Sequence, residues 1–574
     1  MSLDETFKII CEYGVASITK IKEENGIYDY KFSFTSDGNE IVKPIHIRFN
    51  IPCVDIFSIW SPMSFLERNL KPDWRCIKNN SRTASGAPVE SVISQNGINR
   101  LTVAISDAKL PITISGGVYE EESIVNFDIV FFTAPTEKRK SYEAIIRFDT
   151  RAIPFYTVIQ DVNLWWETFY PPAFVPDEAK CPVYSTWYNY HEWLDVEDIV
   201  AQCRKAAEYG FKAIIVDDGW QTDGERCGYA YCGDWEAAEK KLGNMREFVD
   251  RVHETGLKFI LWYSVPYIGE YSKHWDKFKH MVLNPGEKKP WKCLDVRYKE
   301  VRDYLADTYE TAMRNWDLDG FKLDFIDSIS FKEEEIVFSD SEGFIASLEE
   351  ATELLLNEVK TRLTSVKPDV LIEFRQSYIG PAIRKYGNML RVEDCPNDAI
   401  KNRVGVVDLR LTSGKTAVHS DMLMWNYNDT VESAAKQLLN VLFSVPQISI
   451  KFDKLNAEHL KMFEFYMWLW NKYKELLLDE RICFDNSEMS YSKIWTQNTD
   501  AMFMISYDNH AEVTLAETVV VNGSGKNKMY IDIDKSYEVT IYNCMGDVIN
   551  KQVFEQGVYA VLVPESGVIH FSVL

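Results

Sequence analysis

Between residues 180 and 475 the chain alternates short apolar runs with longer amphipathic ones, and this alternation restricts the fold more than any other feature. The apolar runs are Pro182–Trp187, Lys212–Val216, Leu257–Trp262, Gly320–Asp324, Val370–Phe374, Met389–Val392, Thr416–His419 and Gln447–Phe452. Four of the segments between them, VEDIVAQCRKAAEYG, NMREFVDRVHETG, KEVRDYLADTYETAMRNW and SLEEATELLLNEVKTRLTSV, read as helices with one apolar face. Gly210 and Gly256 stand where a helix-ending glycine is expected. Eight strands alternating with helices predict a (β/α)8 barrel. A doubly wound sheet is the alternative, but no GxGxxG follows the first strand.

The flanks have a different period. Up to residue 170 or so, segments such as IYDYKFSFTS, KPIHIRFN, ESIVNFDIVFFTA and YEAIIRFDT alternate apolar and polar residues between Gly, Pro, Asn and Asp clusters. That pattern predicts a β-sandwich. Pro171, Pro172 and Pro176 mark a linker. After residue 480, strand-like runs return in AMFMISY, AEVTLAETVVV, SYEVTIYNC and GVIHFSVL. The expected layout is multidomain: an N-terminal β-sandwich at 1–172, a central (β/α)8 TIM barrel at 173–478 and a small C-terminal β-domain at 479–574. At 574 residues and 46% apolar, the chain can bury that many cores.

Charge excludes some partners. Lys and Arg number 63 against 87 Asp and Glu, a net charge of −24, so neither nucleic acid nor an anionic membrane is expected. No apolar run is long enough to span a bilayer, and MSLDETFKIICEYG has no basic segment leading into an apolar one. The 11 cysteines form no CxxC pair and read as buried free thiols. A cytoplasmic location is the resulting expectation, in which the sequons at Asn79 and Asn522 carry no glycan.

In a barrel the chemistry lies where strands end at their C-termini. The second strand ends in Val216-Asp217-Asp218-Gly219-Trp220, the fourth in Lys322-Leu323-Asp324 and the fifth in Glu373-Phe374-Arg375. The sixth leads into Arg391-Val392-Glu393-Asp394, and the first and third end at Trp187 and Trp262. Carboxylates and indoles therefore meet on one rim. Two carboxyls on nearby strands, one ionised and one protonated, are what acetal hydrolysis needs. Adjacent acids accept bonds from sugar hydroxyls, and tryptophans supply apolar walls; 16 Trp and 30 Tyr suit such a role, as they also suit all-β cores. Each motif has a plainer reading too, since Asp before Gly is common in turns and a strand can end in a capping Asp. Only 9 His are present, with no HExxH and no GxxxxGK[ST] loop, so no metal and no cofactor is expected.

These residues carry a family resemblance. Residues 180–475 resemble the α-galactosidases of glycoside hydrolase family 36, the melibiase and raffinose-synthase group. VDDGW is similar to that family's strand-2 signature, Gly233-Asp234-Trp235 to its GDW element, and Lys322-Leu323-Asp324 to its Lys-x-Asp. The resemblance implies a retaining α-glycosidase acting on an oligosaccharide or glycoside, with Asp324 as nucleophile and Asp394 as acid/base. It implies that Asp217, Asp218 and Lys322 grip sugar hydroxyls, and that Trp187, Trp220, Trp262, Arg391 and Glu373 shape the sugar site. It also implies a possible homo-oligomer. WYSVPY stands where the family usually has Trp-x-Glu-Pro-Glu, and Arg391 precedes Asp394 by three residues where four is usual. Glu393 and Asp398 are alternatives to Asp394; His419 and Asp421 read either as part of a substrate-side loop or as a structural hydrogen-bonding pair, and Asp327 and Glu373 either as sugar ligands or as partners that hold the ligands. Sugar transfer, an α-N-acetylgalactosaminyl or α-glucosyl substrate, and sugar binding without turnover stand as alternative functions.

Overall fold

The computed structural model describes residues 6–134, 137–222, 228–332 and 338–574. The first segments form two antiparallel sheets. One runs Lys8–Ile10, Ile45–Pro52, Ile124–Phe131, Ile112–Tyr119 and Asn79–Ser81; the other runs Val15–Glu24, Ile27–Thr35, Ser141–Asp149, Asn99–Ile105, Val89–Ile93 and Ser58–Trp60. Alternate residues of Ile124–Phe131 point inward, so Val125, Phe127, Ile129 and Phe131 are buried while their neighbours are not. Phe127 faces Phe49 across the strand pair, with ring centroids 4.8 Å apart. Phe32 of the second sheet stacks on Phe131 of the first at 4.4 Å, which closes the sandwich.

The eight strands expected between 180 and 475 all occur, in one parallel sheet. They are β1 (Val183–Ser185), β2 (Ala213–Val216), β3 (Lys258–Ser264), β4 (Gly320–Asp324), β5 (Leu371–Arg375), β6 (Met389–Arg391), β7 (Ala417–His419) and β8 (Gln447–Ile448). Each pairs with the next from β1 to β7, and β8 pairs with β1. A parallel bridge between His419 and Val445 joins β7 to the segment entering β8. The first and last strands are shorter than their apolar runs. Trp187–Tyr190 is a helical turn and Phe452–Lys454 a 3-10 turn, where loop hydrogen bonds such as Ser449 N–H to the Leu423 carbonyl replace the ladder.

The helices begin where capping residues stand. Asp195 accepts from the Asp198 N–H at the start of Val196–Glu208, Asn244 from Arg246 and Glu247 at Met245–His253, and Ser347 from Glu350 at Leu348–Val366. Gly210 and Gly256 follow two of these helices with φ of +88° and +87°. At the C-terminal end a seven-stranded and a three-stranded sheet enclose Val520, Ile531, Val539 and Ile569.

One buried carboxylate ties the sandwich and the last strands to the barrel. Asp408, on the helix Ala399–Thr412, accepts from Trp60 Nε1 at 3.0 Å and from Arg68 Nη2 with both oxygens at 2.9 Å. Tyr491 donates its hydroxyl to the same carboxylate. Among the described residues no helix is long and apolar enough to cross a membrane.

Candidate active site

Strand alternation places the two chemical groups of β4. Residues 322 and 324 share a face, so Lys322 and Asp324 point together while Phe321 and Leu323 join the hydrophobic core. Lys322 Nζ donates to Asp217 Oδ2 at 2.6 Å and lies 3.9 Å from Asp324 Oδ2. Asp217 itself is anchored, its N–H donating to Thr186 Oγ1 at 3.0 Å and its Oδ1 accepting from the Asp218 N–H at 2.9 Å. Asp218 Oδ1 accepts from Gln221 Nε2 at 2.7 Å.

The loop after β2 needs its glycine. Gly219 has φ +105°, and a Cβ there would stand 2.5 Å from Glu192 Cα. Lys241 Nζ ties the loop together by donating to the carbonyls of Glu192, Gly219 and Thr222 at 2.7, 2.9 and 2.8 Å.

Asp324 is enclosed by donors. Oδ1 accepts from Arg375 Nε at 2.6 Å, the Phe325 N–H at 2.7 Å and Tyr378 OH at 3.1 Å; Oδ2 accepts from Trp262 Nε1 at 3.0 Å. Burial works to raise its pKa, but Arg375 and Lys322 outweigh it and hold the carboxyl far below the usual carboxylate range. Asp218 goes the other way: burial, helped by the neighbouring Asp217 charge, pushes it up to about 7.

The strand-6 residues form a second network. Arg391 Nη1 donates to Asp394 Oδ1 at 2.8 Å and also to Asp421 Oδ1. Asp421 Oδ2 accepts from Tyr188 OH at 2.8 Å and from the Cys395 N–H at 2.7 Å. Burial opposes ionisation of Asp394, but Arg391 and Lys322 outweigh it and lower its pKa. The Asp394 side chain is 51% exposed at the barrel mouth. The two alternatives sit differently. Asp398 caps the helix Ala399–Thr412 by accepting from the Lys401 N–H at 2.9 Å, and Glu393 lies 3.7 Å from Lys401 Nζ.

Not every expected residue reaches the rim. Trp220 is fully buried, packed against Trp235, Tyr263 and Trp316, and its indole donates to the Trp262 carbonyl at 2.8 Å. Its place is in the wall behind Trp262. Glu373 lies two residues before the end of β5, accepting from Gln447 Nε2 and 3.6 Å from Arg391 Nε, with burial pushing it up to about 7. It supports Arg391 from beneath. Trp187 is half-buried against His191, with ring centroids 4.4 Å apart. His419 Nδ1 accepts from Gln447 Nε2 at 3.3 Å and its Nε2 donates to the Ala179 carbonyl at 2.8 Å, in the barrel interior.

Sequence reasoning missed Tyr378 and the part played by Arg375. A charged residue ending β5 was a visible signal for the arginine; nothing local marks the tyrosine. Among the described residues no group of three or more His, Cys, Asp and Glu is arranged to hold a metal ion.

The chain is similar to known proteins over part of its length. The Melibiase family model matches residues 174–394. The bifunctional alpha-galactosidase/sucrose kinase AgaSK of Mediterraneibacter gnavus is 29% identical over 198 residues, 33% of this chain and 20% of that protein. Alpha-galactosidase AgaA of Geobacillus stearothermophilus is 30% identical over 206 residues, 34% of this chain and 28% of that protein. The match thus spans less than a third of either relative's length. A crystal structure of a substituted AgaA in complex with raffinose superimposes with a TM-score of 0.67, covering 97% of this chain and 81% of that one at 15% identity. At that identity the likeness shows the fold.

Proposed function

We propose that this chain belongs to glycoside hydrolase family 36, as the Melibiase match at residues 174–394 supports, and that it hydrolyses terminal α-galactosyl groups with retention of configuration. The observation that carries the reading is the state of Asp324: ionised by its surroundings and placed at the end of a barrel strand beside Lys322. Relatives named alpha-galactosidases and a neighbour holding raffinose support the choice of sugar.

In this scheme Asp324 attacks the anomeric carbon, and the bond to the leaving oxygen breaks as Asp394 gives that oxygen a proton. Water then attacks the same carbon, passes its proton to Asp394 and releases Asp324. In retaining enzymes the two carboxyls stand about 5–5.5 Å apart. Asp217, Asp218 and Lys322 bind hydroxyls of the sugar, and Trp187 and Trp262 form apolar walls. The capping role of Asp398 favours Asp394 as the proton donor. The domain limits 1–172, 173–478 and 479–574 belong to the same proposal, supported by where the sheets begin and end. So does a reducing cytoplasm, supported by the ten free cysteines of the described residues.

The test is a panel of aryl α- and β-glycosides run on the protein and on Asp324→Asn. Release from the α-galactoside, absent in the variant, is expected. Full activity in Asp324→Asn overturns the nucleophile, and release only from another α-glycoside replaces the sugar. Product analysis at high acceptor concentration separates hydrolysis from transfer.

A further inference from the structure

Arg375 stands closer to Asp324 than any other cation among the described residues, and the two displacements just described do not require it. Its Nε lies 2.6 Å from Asp324 Oδ1, and its Nη1 donates to the Gln376 carbonyl at 2.7 Å. The guanidinium is 5.1 Å from the Phe325 ring and 5.6 Å from the Tyr378 ring. Backbone and rings therefore hold it in place. Lys322, the nearby cation on the strand of Asp324 itself, is committed to Asp217 at 2.6 Å and stays 3.9 Å from Asp324.

The two oxygens of Asp324 are consequently unequal. Among the described residues Oδ1 carries three donors, one of them cationic, and Oδ2 carries only the neutral Trp262 indole at hydrogen-bond distance. The less saturated oxygen is the better placed to form a new bond.

We propose that Arg375 is a positioning residue that holds Asp324 Oδ1, presents Oδ2 to the anomeric carbon, and eases departure of Asp324 from the glycosyl-enzyme. The inference rests on Asp324 being the nucleophile. In the first displacement the Oδ2–carbon bond forms, the carbon–aglycone bond breaks, and the aglycone oxygen takes the Asp394 proton. Negative charge on Asp324 is consumed there. In the second, the water oxygen bonds to the carbon, its proton goes to Asp394, and the electron pair of the carbon–Oδ2 bond returns to the carboxylate. Arg375 stabilises that returning charge, so it favours the second step at the expense of the first. The other charges facing Asp324 are Lys322 on β4 and Arg391 on β6, with Asp327 opposing them 4.0 Å from Arg375 Nη1.

Arg375→Met and Arg375→Lys, made in the full chain, test this by rapid mixing with 4-nitrophenyl α-galactoside. In Arg375→Met the second displacement becomes limiting. A burst of about one equivalent of nitrophenol is expected, together with a protein heavier by one anhydrohexose and a KM that falls with kcat. The acid limb of kcat/KM moves up by about 1–3 pH units, because a cation beside an acid lowers its pKa by that amount. Arg375→Lys restores part of the wild-type behaviour. Loss of activity without burst, adduct or shifted limb, in a variant that melts like the wild type, overturns the inference. Asp324→Asn run alongside separates the two failures. If it is inactive while Arg375→Met shows none of these changes, only the role of Arg375 falls; if it turns over, the nucleophile assignment falls first.

Discussion

Arg391 Nη1 lies 2.8 Å from Asp394 Oδ1, so the carboxyl we propose as proton donor is held in its charged form by its own neighbour. Burial opposes that charge, and Arg391 and Lys322 overcome it. With the Asp394 pKa below its ordinary value, the protonated fraction grows as pH falls. The kcat/KM for raffinose should therefore rise from pH 7 to about pH 5, since that ratio reports the free enzyme's acid. Arg391→Gln should move the falling limb to higher pH. Parallel pH profiles of both proteins check this, and a flat raffinose profile contradicts it.

Proton delivery matters in proportion to the basicity of the leaving group. Asp394→Ala should slow raffinose about 10²–10⁴-fold, the usual scale of general acid catalysis. It should slow the first step with 4-nitrophenyl α-galactoside far less, because nitrophenolate departs without help. Equal losses on both substrates would move the role to Glu393.

Asp408 has a structural counterpart to this chemistry. It is wholly buried and neutralises Arg68, which is 2% exposed. Asp408→Ala leaves that arginine uncompensated and frees the Trp60 and Tyr491 donors together. A loss of about 3–5 kcal/mol is expected for breaking a buried pair this way. Denaturant unfolding of Asp408→Ala and of the double variant Asp408→Ala/Arg68→Met measures it. The double variant should recover part of the loss, because no charge is then left unpaired.

Gly219→Ala should damage the proposed sugar site while sparing most of the fold. The added Cβ meets the Glu192 backbone at 2.5 Å, and φ of +105° is strained for any L side chain. The cost is about 1–3 kcal/mol of local strain, which the loop can relieve only by shifting Asp217 and Asp218. A raised KM for galactosides with a small drop in melting temperature is the expected result. Unchanged KM would mean that the loop relaxes elsewhere.

Glu90 supplies a pH test of stability away from the site. It is buried in the sandwich, its Oε1 has no hydrogen-bond partner among the described residues, and burial pushes it up to about 8. Between its unfolded pKa, about 4.3, and that raised value, the folded chain binds a proton that the unfolded chain has lost. Stability from this group is therefore full at acid pH and declines as pH rises toward 8. Glu90→Gln cannot lose it. The variant should gain on the wild type steadily from pH 5 to pH 8.5 in thermal melts, and a constant difference would contradict the assignment.

Much of the barrel was legible because its signals are local. Apolar runs of strand length, capping residues such as Asp195 and Asn244, and the glycines at 210 and 256 are each set within a few residues. The same holds for Lys322 and Asp324, whose spacing of two puts them on one face of any strand. The tryptophans were less legible. Trp220 and Trp262 look alike in sequence, yet one indole is spent on the other's carbonyl within the core, and the other reaches Asp324.

Alternation along the chain therefore determined the barrel, its flanking sheets and the carboxylates at its strand ends, since periodicity needs only neighbouring residues. The electrical state of those carboxylates was decided by tertiary structure alone. Arg375 meets Asp324 across 51 residues and Lys322 meets Asp217 across 105. Charge interactions depend on distance in space and on exclusion of water, and neither exists until the strands lie side by side.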